Sequence, residues 1–193
     1  MKNLKLFVIA LLAVVSVSSC MKTDEYDGPT QEEENARIDS TLKKQAPILE
    51  EYAKQKFGAN AKKDSATGIW YEVLPSTVDS TYEYVATANS WVPVIANIKY
   101  KGELMDGKVF DEKTTPTQMA INNVIPAWLY IFYPQNKSKN SFSGILPHGL
   151  LKGNKIRFIA PSPYCYDNKT KGEIPADSPL VFNIEVTELK SQY

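Results

Sequence analysis

The chain is poor in the residues on which most covalent and metal chemistry depends. It has one histidine, His148, and two cysteines, Cys20 and Cys165. No Cys/His cluster with ligand spacing is present, so neither a metal nor another cofactor is expected. A Gly-rich phosphate loop, a Gly-x-Ser-x-Gly nucleophile elbow and a paired glycosidase motif are also missing. No single charge sign dominates, since 22 Lys and Arg stand against 22 Asp and Glu, and nucleic acid is not an expected partner. The apolar run from Leu6 to Val15 is shorter than the roughly 20 residues needed to cross a bilayer.

That short run suits an export leader instead. Lys2 and Lys5 precede or open it and small residues follow it, so residues 1–19 read as a signal peptide. The four residues Val17-Ser18-Ser19-Cys20 resemble the lipobox of bacterial lipoproteins; an ordinary cleaved leader would need only the small residues. The resemblance implies that Cys20 is acylated and becomes the mature N-terminus. The chain would then be lipid-anchored in a bacterial cell envelope, on the outer membrane, with the periplasmic or surface face left open. Acyl chains at roughly 0.8 kcal/mol per buried methylene hold a protein on a membrane for a long time. With Cys20 acylated, Cys165 has no partner for an intramolecular disulfide. Loss of the leader removes two lysines and no acids, which leaves the mature chain close to neutral.

After the anchor, residues 20–36 include the stretch MKTDEYDGPTQEEE, which is acidic and nearly free of large aliphatic side chains, as in a flexible tether. Ile38, Leu42, Ala46, Leu49, Ala53 and Phe57 then recur at steps of three and four, the spacing of one helical face. Pro47 predicts a break, with a second helix starting there and ending near Gly58, so residues 37–66 read as a helical spacer. From Ile69 the pattern changes to short β-rich runs, IWYEVL, TYEYVA, VPVIANIKYKGEL, KVFDE, NKIRFIA and PLVFNIEVTEL, separated by Pro, Gly, Asn and Asp. In the last run Leu180, Phe182, Ile184 and Val186 alternate with Val181, Asn183, Glu185 and Thr187, as in a strand with one buried face. Residues 67–193 are enough for one domain with its own core.

The segment NIKYKGELMDGKVFDE, from Asn97 to Glu112, resembles the FK506-binding-protein (FKBP) type of peptidyl-prolyl cis-trans isomerase, in which a Tyr-x-Gly strand meets an Asp-Gly turn and then Val-Phe-Asp. Further matches follow in order: Val124-Ile125-Pro126-Ala127-Trp128, Lys152 to Ile159, Ile174-Pro175 and Leu180 to Val186. The resemblance spans about residues 67–190. It implies an α+β fold, a bent antiparallel β-sheet wrapped around a short helix, preceded by a helical N-terminal segment. It implies a pocket lined by Tyr100, Phe110, Asp111, Val124, Ile125, Trp128, Tyr166 and Phe182, with Trp128 as floor. Asp111, Tyr166 and Trp128 would carry the catalysis. The implied substrates are X-Pro bonds in proline-containing segments of exported proteins.

Four departures accompany the resemblance. Ala127 stands where the family usually has Gly before the tryptophan. The wall segment EKTTPTQMAINN offers only Met119. The stretch of about residues 129–151 is longer than usual and reads as a loop-like insertion beside the pocket. An extra residue in APSPYCYDNKTKGEIP leaves Tyr164 as a competitor for the place of Tyr166. Two readings follow: an active isomerase, or a weak or inactive binding module that kept the fold.

Overall fold

The computed structural model describes residues 28–74, 76, 80–87, 90–136 and 142–192. The leader, Cys20 and most of the expected tether lie outside these residues. Helix α1 spans Gln31–Lys56, β1 Lys62–Lys63, β2 Trp70–Leu74, β3 Val94–Leu104, β4 Val109–Ala120, α2 Pro126–Phe132, β5 Lys155–Ala160 and β6 Leu180–Ser191. The strands form one antiparallel sheet in the order β1-β2-β5-β6-β3-β4. The expected α+β architecture is the one found.

Helix α1 corrects two sequence expectations. It begins at Gln31, inside the stretch read as tether, because Thr30 and Glu33 form a reciprocal capping box and Glu32, Glu33 and Glu34 fill the first turn, where the helix dipole favours acids. It also runs through Pro47 without ending. Pro47 withholds one intrahelical hydrogen bond, a penalty of about 3 kcal/mol. Docking offsets it: Leu49, Ala53 and Phe57 are buried against Ile159 of β5 and Val181 of β6, and large apolar side chains contribute about 1.5–3 kcal/mol each on burial. The Arg157 guanidinium stacks over Phe57 at 5.1 Å and pairs with the buried Glu72 carboxylate, which also accepts from Asn60 Nδ2. The segment is therefore no spacer. It packs on the outer face of the sheet, and Lys62–Lys63, within the same expected spacer, pair with β2.

The face of the sheet opposite α1 holds the main core. Val94, Ala96, Ile98 and Tyr100 of β3 and Leu180, Phe182, Ile184 and Val186 of β6 face Trp128, Ile131 and Phe132 of α2. Val181 is buried too, because α1 covers it from the other side. At Thr187 the β6 register slips by one residue against Asn97, and Leu189 rather than Glu188 takes up the inward alternation. The edge strand β4 tolerates Pro116 in the same way: three of its residues, Thr114 to Pro116, oppose Lys99 alone. α2 starts with Pro126 at its first position, where a missing N–H is harmless.

The TYEYVA run forms no strand; it makes a single bridge, Ala86 with Trp91. Its tyrosines anchor by side chain, with Tyr84 Oη donating to the Leu150 carbonyl at 2.6 Å and Tyr82 bonded to Ser191. The stretch 129–151 is also not simply loop-like. Its first residues complete α2, and Ile145, Leu146 and Leu150 enter the core. Trp91 stacks on Tyr133 and donates from Nε1 to the Phe142 carbonyl, tying this stretch to residues 80–91. The polar run at 137–141 lies outside the described residues. Among the described residues no helix is long and apolar enough to cross a membrane.

Candidate functional site

A cavity of about 480 Å³ opens between β3, β4, β6, the N-terminal end of α2 and the β5–β6 loop. Its lining includes all eight residues expected from the sequence: Tyr100, Phe110, Asp111, Val124, Ile125, Trp128, Tyr166 and Phe182. Met119, Asn123 and Lys171 complete it. The helical start at Pro126 places Trp128 in the first turn of α2, where its N–H bonds back to the Ile125 carbonyl. Trp128 is 3% exposed, and its Nε1 is buried without a hydrogen-bond partner among the described residues.

The rings meet edge to face, the arrangement favoured by the aromatic quadrupole. Trp128 lies 5.2 Å from Tyr100 and 5.5 Å from Phe182, both near perpendicular. Phe110 meets Phe182 at 5.8 Å and 84°. Gly102, the glycine of the Tyr-x-Gly strand, makes this approach possible: a Cβ there would lie 2.6 Å from the Phe110 ring and 3.1 Å from that of Phe182. The fixed rings give an apolar wall that loses little entropy when a flat, compact group binds.

Polar groups sit around the rings. Tyr100 Oη donates to Asp111 Oδ2 at 2.5 Å, and Lys113 Nζ lies 3.9 Å from the other carboxylate oxygen. Burial and the Asp111 carboxylate hold the Tyr100 phenol well above its usual range. Tyr166 is also raised, first by burial and then by Cys165 and Asp111, so both phenols are neutral donors at neutral pH. No group here is poised as a nucleophile or a general base. The arrangement can bind an apolar ring, exclude water and donate hydrogen bonds.

Tyr166, not Tyr164, lines the cavity; Tyr164 ends a short 3₁₀ turn, Ser162–Tyr164, and packs on Tyr130 at 5.3 Å. Ala127 is fully buried and does not adopt a positive φ, so the position requires only a small side chain. None of the described residues between 129 and 151 lines this cavity. Pro134, Gln135, Pro147, His148 and Leu151 instead border, with residues 80–84 and Trp91, a separate one of about 430 Å³, so the described part of this stretch does not stand beside the pocket as expected. Ile145, Leu146 and Leu150 are held in the core, with the Ile145 N–H donating to the Tyr130 carbonyl and the Leu150 N–H to that of Phe132. Cys165 is a buried free thiol whose pKa is pushed up by burial, as suits an inert cysteine. Asn123 and Lys171 escaped sequence reasoning. Asn123 ends an irregular 3₁₀ turn and Lys171 sits in a polar loop, neither of which marks a pocket residue by pattern.

Known proteins agree with this geometry. The family described as FKBP-type peptidyl-prolyl cis-trans isomerase matches residues 93–187. The FKBP-type isomerase FkpA of Escherichia coli K12 is 31% identical over 144 residues, covering 73% of this chain and 43% of its own. FkpA of Aeromonas hydrophila is 28% identical over 174 residues, 86% of this chain and 54% of that one. The chain thus spans about half the length of these curated relatives. A peptidyl-prolyl cis-trans isomerase from Pseudomonas syringae pv. tomato superposes with a TM-score of 0.53 at 26% identity, over 80% of this chain and 96% of that structure. The E. coli FkpA crystal structure, at 24% identity and a TM-score of 0.50, shares the fold over 84% of this chain and 74% of its own. With the fold, the aromatic cavity and the family match in agreement, residues 93–187 of this chain form a domain of the FKBP-type peptidyl-prolyl cis-trans isomerase family.

Proposed function

We propose that this chain is a peptidyl-prolyl cis-trans isomerase that acts on X-Pro bonds of exported proteins from a lipid anchor in a bacterial cell envelope. The observation that carries the activity is the cavity itself, a nest of perpendicular rings with the Tyr100–Asp111 hydrogen bond at its edge. The reaction breaks no covalent bond. Rotation about the amide must cross a barrier of about 18–20 kcal/mol caused by partial double-bond character. An apolar wall disfavours the charge-separated planar amide relative to the twisted one, whose carbonyl has lost resonance charge. In this mechanism Trp128, Phe110 and Phe182 seat the proline ring, Val124 and Ile125 line its path, and the Tyr166 hydroxyl donates to a substrate carbonyl. Asp111 holds Tyr100 and polarises the rim. Rotation needs no metal or other cofactor.

A protease-coupled assay with an Ala-Pro or Leu-Pro test peptide, with and without a pocket-blocking macrolide, tests this. Turnover that the drug abolishes and that falls in Trp128→Ala and Asp111→Ala is expected. Unchanged rates in both variants refute the assignment of the pocket. A second reading, a binding module without turnover, draws on the β4 wall, where Met119 supplies what the family commonly builds from aromatic rings. Binding of the peptide without acceleration would establish it.

The envelope location is supported by residues 1–20, and the proposed anchor is Cys20. Incorporation of labelled palmitate into the wild-type chain in a bacterial host, and its loss in Cys20→Ala, is the expected outcome. Labelling that survives the substitution refutes the anchor and leaves the isomerase reading untouched.

A further inference from the structure

The β5–β6 loop carries Tyr166 into the cavity, and hydrogen bonds from α1 reach both ends of that loop. At its root the Ser162 N–H donates to Gln45 Oε1 at 2.9 Å, while Gln45 Nε2 donates to Ser162 Oγ and to the Asp177 carbonyl, each at 2.9 Å. Gln45 is 5% exposed and Ser162 wholly buried, so these bonds are shielded from competing water. One residue beyond Tyr166, both terminal nitrogens of Arg37 donate to the Asp167 carboxylate, and Glu34 holds the same guanidinium from the helix side. The loop needs such restraint. Asp167 and Asp177 both lie in the left-handed region, at φ 55° and 56°, which is uncommon for residues other than glycine. Within the loop the Asp167 N–H bonds to the Ser162 carbonyl and the Asp177 N–H to that of Asp167, both at 2.8 Å, so the two α1 contacts act on one connected turn.

We propose that Gln45 and Arg37 of α1 are positioning residues of the proline site, clamping the β5–β6 loop so that the Tyr166 hydroxyl stands in the cavity. This rests on the isomerase reading and on the role given there to Tyr166. The helix outside the catalytic fold thereby becomes part of the site's machinery, although neither of its clamp residues touches the cavity.

The test uses the full chain with Gln45→Leu, Arg37→Met, Arg37→Lys and Tyr166→Phe, and each clamp variant combined with Tyr166→Phe. Loss of buried hydrogen bonds to the loop should lower kcat/KM for the proline peptide about three- to ten-fold in Gln45→Leu and about two- to three-fold in Arg37→Met. Arg37→Lys should recover part of the loss. In the Tyr166→Phe background both clamp substitutions should have no further effect, because the clamp acts through that hydroxyl. Hydrogen exchange should quicken in residues 161–178 while β5 and β6 keep their protection. Should Gln45→Leu fail to fold, the partly exposed Arg37 variants carry the same test. Full additivity with Tyr166→Phe, or wild-type turnover in both clamp variants, overturns the clamp alone. A wild-type chain that neither isomerises nor binds the peptide overturns the isomerase reading and the clamp together.

Discussion

Replacing Tyr100 by phenylalanine removes a single oxygen from the site and separates two contributions that a larger deletion would merge. The ring remains wedged at 5.2 Å against Trp128, and Tyr100 is only 8% exposed, so the packing should survive. What disappears is the donor to Asp111 at 2.5 Å. Hydrogen bonds to a charged group contribute about 1.5–3 kcal/mol when both partners are buried. The Asp111 carboxylate is half-exposed, beside Lys113, and can turn to water, so the loss should fall below that range, to about 1–1.5 kcal/mol, the upper part of the range for an ordinary hydrogen bond. Tyr100→Ala should lose about 3–5 kcal/mol, since a cavity then opens next to Trp128. Urea unfolding followed by far-UV circular dichroism measures both, with an unchanged slope required for the comparison. In the same preparations Tyr100→Phe should lower kcat/KM by up to about ten-fold, the rate equivalent of the lost restraint on Asp111 if all of it is felt in the transition state. Equal stability losses in the Phe and Ala variants would refute the assignment of packing to the ring. Full turnover in Tyr100→Phe would refute the role of the Tyr100–Asp111 bond.

Three further outcomes are expected. Leu49→Ala, in the face of α1 docked on Ile159 and Val181, should lower the unfolding free energy by about 2–5 kcal/mol in one cooperative transition; a loss below about 1 kcal/mol would show that α1 does not share the domain's core. Pro47→Ala, at an exposed position of α1, should raise stability by about 2 kcal/mol, the helix-interior penalty less the rigidity proline gives the unfolded chain, and a drop in melting temperature would contradict this. Burial raises the phenols of Tyr84, Tyr100 and Tyr166 above the ordinary value of 10, so the folded state keeps protons that the unfolded state releases. Their stabilisation is complete below about pH 10 and declines as pH rises toward the folded values, by up to about 1.4 kcal/mol per pH unit for each group. A urea midpoint that is flat from pH 9 to 11 would contradict it.

The cavity was legible in the sequence because its residues sit at spacings that a family motif fixes: Tyr100 two residues before Gly102, Phe110 and Asp111 after an Asp-Gly turn, Trp128 after Ile125-Pro126. Strands β2, β3, β5 and β6 were legible from alternation and β-branched content. What escaped was decided by contacts between distant segments. The continuity of α1 through Pro47 depends on docking to Ile159 and Val181, more than 100 residues away, and local propensity argued the other way. The TYEYVA run has every local mark of a strand, yet its tyrosines are spent on Leu150 and Ser191. β4 continued past KVFDE to Ala120 because its partner β3 is long enough to receive it, a length that the polar EKTTPTQ stretch does not announce. The choice of Tyr166 over Tyr164 likewise followed from the 3₁₀ turn at Ser162–Tyr164, which faces Tyr164 toward Tyr130.

The two borders of the sheet bear on self-association. An unpaired strand edge is a template on which a neighbouring copy can add its own strand, and the hazard grows with local concentration. On one border β1 is two residues long and both are lysines, so a second chain would meet charge before it found a ladder. On the other, β4 offers a longer edge, but the bulge from Thr114 to Pro116 interrupts its regular spacing and Pro116 has no N–H to give. At high local concentration, copies would therefore find no continuous edge to extend, and the sheet can remain six strands wide where a flat, regular border would polymerise.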